Sequence, residues 1–89
     1  MSGALADAEA LELGLREQIS DLVHARVRAD AEAKRLAERA ALPGAHEEEL
    51  SDIAGRYARQ SEVLAGEIET LRSSLRAAEA ELERLRAPD

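Results

Sequence analysis

The sequence predicts an all-α protein: an antiparallel two-helix coiled-coil hairpin that dimerises into a four-helix bundle. Three observations carry this. Both halves of the 89 residues are rich in Ala, Leu, Glu and Arg, all strong helix formers. The pattern breaks once, at "AALPGAHEEEL" (residues 40–50). The second half then repeats apolar residues at alternating spacings of three and four, the mark of a helix–helix seam.

The first helix is expected over residues 4–41. It ends there because Pro43 disfavours helical geometry at Leu42 and Gly44 accepts the left-handed conformation that closes helices. Residues 42–45 form the turn. The second helix, 46–86, opens with Glu47, Glu48 and Glu49 at the positive end of its dipole and closes with Arg84 and Arg86 at the negative end. A short connection between equal helices gives an antiparallel pair. All of residues 1–89 belong to this single domain.

In the second helix the seam runs through Leu50, Ala54, Tyr57, Ser61, Leu64, Ile68, Leu71, Leu75, Ala78, Leu82 and Leu85. The first helix answers more weakly, with Leu5, Ala8, Glu12, Leu15, Ile19, Leu22, Arg26, Ala29, Ala33, Leu36 and Ala40. Folding about the turn pairs positions whose numbers add to about 90. Leu15 then meets Leu75, Ile19 meets Leu71, Leu22 meets Ile68, and Tyr57 falls opposite Ala33. The expected hairpin core is Leu15, Ile19, Leu22, Tyr57, Leu64, Ile68, Leu71 and Leu75. Alanine layers and Ser61 thin the seam near the turn, so that end is expected to open more readily.

Composition argues for association. Nineteen of the apolar residues are Ala, Tyr57 is the single aromatic, and there is no Cys, so no disulfide can staple the fold. A lone hairpin with so slight a core is marginal. Leu13, Val23, Val27, Ile53 and Val63 lie off the seam and form the expected interface. Arg26, a charge at a seam position, is the expected specificity residue because a single polar seam residue sets register or oligomeric state.

The net charge is −7, and each half holds more acids than bases, which disfavours nucleic-acid binding. Apolar runs are too short to span a membrane. The opening "MSGALADAEA" has neither the basic start nor the apolar stretch of a signal peptide, so a cytoplasmic location is expected. Eleven Arg against one Lys, with abundant Ala, suggests a GC-rich bacterial genome.

Candidate chemical sites are few. Asp21 and His24 share a helical face, but the second helix has no matching His, so no metal or other cofactor is expected. His46 before three acids lacks the second histidine of a zinc motif. Arg26, Arg28, Lys34, Arg35 and Arg39 are interleaved with Asp30, Glu32 and Glu38. Spacings such as Arg26–Asp30, Arg28–Glu32 and Lys34–Glu38 read as a self-paired helix surface. Gly14, Gly55 and Gly66 interrupt helix interiors, where they either permit close backbone approach or are simply tolerated.

One stretch, "LREQISDLVHARVRADAEAKR" (residues 15–35), resembles the opening helix of the all-helical chorismate mutases, small chains that form intertwined homodimers. The resemblance implies Arg and Lys side chains gripping two carboxylates, with Arg16 matching the family's early arginine and Arg28 or Lys34 as loose later matches. This sequence departs from the family at Val-His-Ala-Arg-Val-Arg (residues 23–28) and lacks its short middle helix. The length and hairpin form also resemble small substrates of actinobacterial type VII secretion, but Leu42-Pro43-Gly44 stands where those carry Trp-x-Gly.

The expected function is therefore non-enzymatic: a self-associating interaction or assembly module, an adaptor or scaffold acting through helix packing. Its partner would be a second copy or a helix of another protein. The alternative is a small enzyme or anionic-ligand bundle of chorismate-mutase-like type, using Arg26, Arg28, Gln60 and Ser61.

Overall fold

The computed structural model describes residues 3–87. Two helices, α1 (Gly3–Ala40) and α2 (Glu47–Arg86), pack side by side along their lengths as a hairpin. The molecule is a rod of 70 × 14 × 14 Å. Its radius of gyration is 19.9 Å, against about 12 Å for a compact chain of this length. Among the described residues no helix is long and apolar enough to cross a membrane.

The turn follows from its residues. Backbone N–H groups of Ala41 and Leu42 reach back three residues to Glu38 and Arg39, tightening the last turn of α1. Leu42 C=O then accepts from Ala45 N–H at 3.2 Å across Pro43 and Gly44. Gly44 has φ +78°, and proline fixes its own φ near −65°. Pro at the second position, left-handed Gly at the third and a bond from first to fourth make a type II turn. α2 restarts at once: Leu50 N–H bonds His46 C=O at 3.0 Å, and the His46 side chain makes no capping bond. Glu47, Glu48 and Glu49 occupy the first turn of α2, Arg84 and Arg86 the last, each complementing the dipole. Ala87, which precedes Pro88, is extended, as the residue before proline tends to be.

Burial alternates along both helices. Ala54, Ser61, Leu64, Ile68, Ala78 and Leu82 are buried on α2; Leu15, Ala29, Leu36 and Ala40 are buried on α1. Leu82 is the most deeply buried, at 1% exposure. Of the expected core, Leu15, Leu64 and Ile68 are buried, while Ile19, Leu22, Tyr57, Leu71 and Leu75 are half-buried. Two helices enclose one seam only, so a long side chain there still meets water at the rim of its layer.

The half near the turn is covered despite its small side chains: Ala29, Leu36, Ala40, Ala54 and Ser61 are all buried. The helix-interior glycines do not mark close approach: a Cβ at Gly14 or Gly66 would meet nothing within 4 Å, and at Gly55 it would touch only the end of the Arg59 side chain.

A candidate interface on one face of the hairpin

Four-residue and three-residue steps place Val23, Val27 and Leu13 on one flank of α1. Ion pairs across the hairpin show which flank of α2 lies beside it. Arg86 Nη2 donates to Glu9 Oε2 at 3.0 Å, and Arg16 Nη2 donates to Glu79 Oε2 at 3.0 Å. These rungs are one heptad apart on each helix. The next rung sets Val23 against Arg72, and the one after sets Asp30 against Ala65. Here the ladder of cross-helix charge pairs gives way to a groove of about 260 Å³. Val23 and Val27 form its α1 wall, Ala65 and Ile68 line it from α2, and Arg26, Asp30, Glu69 and Arg72 surround it.

The apolar wall faces solvent. Val27 is 61% exposed and Leu13 58%, with Val23 half-buried between them. Arg26 sits at the groove edge, where its Nε donates a long 3.4 Å bond to the buried Ser61 hydroxyl. A charge at a seam position is tolerated because its neighbour there is small and polar. No buried side-chain nitrogen or oxygen among the described residues lacks a partner.

Ile53 and Val63 do not join this surface. Val63 adjoins Gly66, Glu67, Thr70 and Leu71, on the flank of α2 opposite Ala65 and Arg72. Helical steps put Ile53 on the same side. The five nominated apolar residues thus divide between opposite faces of the hairpin, three on one and two on the other. The sequence reading passed over Leu11 and Leu42, which are also largely exposed, and it passed over Ala65 and Arg72. Projecting both heptad patterns onto one ladder would have found the last two.

The anion-binding constellation is divided as well. Arg26 opens onto the Val23–Val27 groove, whereas Arg28 and Gln60 line a groove on the other face with Tyr57 and Glu32. The buried Ala29 and Ser61 lie in the seam between them. Among the described residues these groups line two separate grooves.

Surface charges pair differently from the expected spacings. Arg35 pairs with Glu32, Arg84 with Glu81, Arg72 with Glu69 and Arg16 with Glu12, always with the acid nearer the N-terminus. That order suits the helix dipole, whereas Arg28–Glu32 and Lys34–Glu38 have it reversed. The hydrogen bond from Arg35 holds the Glu32 carboxyl below the usual glutamate range, and Arg84 does the same for Glu81. Among the described residues no group of three or more His, Cys, Asp or Glu is placed to hold a metal ion.

No family model, curated protein or solved structure matches the chain.

Proposed function

We propose that this chain is a non-enzymatic helical-hairpin module, an adaptor or scaffold that self-associates through packing of its exposed apolar flank, two hairpins making a four-helix bundle. One observation carries the reading. The accessible surface is 6638 Å², whereas a compact monomer of 9.6 kDa exposes roughly 5,100 Å². The excess is on the order of 1,500 Å², more than the ~800 Å² that one partner contributes to a standard interface. Leu13, Val23 and Val27 lie along one side of that surplus, beside the half-buried Ile19 and Leu22. Covering them would add apolar burial to a core that is mostly Ala and Leu.

Size-exclusion chromatography with light scattering tests this. The wild-type chain should run as a dimer, and Val23→Lys with Val27→Lys should run as a helical monomer. A monomeric wild type that melts cooperatively would remove the case for self-association.

A further inference from the structure

We propose that the Val23–Val27 groove receives a second copy of this chain, docked side by side with both turns at the same end, so that α1 of each lies on α2 of the other. The inference rests on the self-association reading and fixes its geometry.

The groove is suited to its own copy by charge. The whole chain carries −7, so two copies repel at most approaches. Around the groove the balance is even, with Arg26 and Arg72 against Asp30 and Glu69. Two copies meeting there add no net charge repulsion from the groove's own lining. The floor is apolar: Ile68 is 3% exposed, and the small Ala65 leaves the space that a partner's side chains fill. On the opposite face Ile53 and Val63 are ten residues apart, about 15 Å along the helix, and they do not share a groove: Val63 adjoins Gly66, Glu67, Thr70 and Leu71, while a separate groove there is lined by Arg28, Glu32, Tyr57 and Gln60.

Face-to-face docking of identical copies allows two orientations of the two-fold axis. With the axis across the rod, α1 meets α1 and α2 meets α2. About the groove centre this sets Arg26 against Arg26 and Glu69 against Glu69, like charges brought together in an apolar contact. With the axis along the rod, α1 meets the second copy's α2 at the same height. Arg26 then faces Glu69 of the second copy. Toward the termini Glu9 faces Arg86 of the second copy and Arg16 faces its Glu79. Every charge that pairs across the hairpin meets the same opposite charge across the dimer. Helix directions alternate in both arrangements, so the charges decide between them.

The chain has no cysteine, so one thiol introduced at the turn reports the orientation. Leu42, 62% exposed, is the position. Under mild oxidation L42C should convert to a covalent dimer, whereas the axis across the rod would hold the thiols on the order of 50 Å apart. R26E and E69R should each raise the dimer dissociation constant about tenfold or more, and mixing the two variants should restore it, with helical circular dichroism unchanged. A wild-type dimer whose L42C variant does not cross-link, or whose charge variants are not rescued by mixing, overturns this docking and leaves self-association standing. So does dissociation by I53K/V63K in place of V23K/V27K. A monomeric wild type overturns both.

Discussion

Arg16 and Glu79 join across the hairpin at 3.0 Å, and one heptad nearer the termini Arg86 and Glu9 repeat the contact at the same distance. The two pairs act as rungs that fix how far α2 is drawn along α1. All four side chains are about half exposed, so their energy is small and their use is alignment. Arg16→Glu should therefore lower the melting temperature by only a few degrees, and adding Glu79→Arg should recover it. A double-mutant cycle should give a coupling of about 0.2–1 kcal/mol. No coupling at all would mean the rungs do not set the register.

Stability sits in the seam. Leu82→Ala should cost about 2–4 kcal/mol, since the residue is 1% exposed and its loss opens a cavity between the helices. Leu11→Ala, with Leu11 largely in water, should stay within about 0.5 kcal/mol. Chemical denaturation followed by circular dichroism separates the two. Equal losses would contradict the seam.

Glycines should divide by backbone conformation. Gly44→Ala forces a side chain onto φ +78° and should cost about 1 kcal/mol. Gly14→Ala and Gly66→Ala place a methyl in open space inside a helix and should stabilise by about 0.5–1 kcal/mol each. Thermal melts of the three variants decide it, and a stabilising Gly44→Ala would refute the type II turn.

Acid titration should expose the Glu32–Arg35 and Glu81–Arg84 pairs. Each carboxyl is held below its usual range in the folded chain. The stabilisation it brings is present above the ordinary glutamate value and is lost as pH falls through the lower, folded value. Carboxyl chemical shifts should show Glu32 titrating below the ordinary glutamate range, and Arg35→Gln should return it toward that range. An unmoved Glu32 midpoint in Arg35→Gln would show that the pair is not populated in solution.

Ion-pair choice shows where sequence reading stops. Spacing alone permits Glu32 to pair with Arg28 or with Arg35, and the structure selects Arg35. The deciding factor is the helix dipole, which favours the acid nearer the N-terminus and which spacing alone does not weigh.

What the sequence by itself determined is local and periodic. Pro43 and Gly44 stop a helix, three glutamates restart it, and alternating steps of three and four mark the seam residues of each arm. These follow from backbone sterics, dipole sign and the 3.6-residue turn, which act over a few residues at a time. Which off-seam residues of the two arms combine into one surface was settled only when α1 lay against α2, because the heptad pattern alone leaves the pairing open by whole heptads. That docking fixes the rotation of each helix about its own axis. It set Val23 and Val27 beside Ala65 in one groove, sent Ile53 and Val63 to the far side, and parted Arg26 from Arg28.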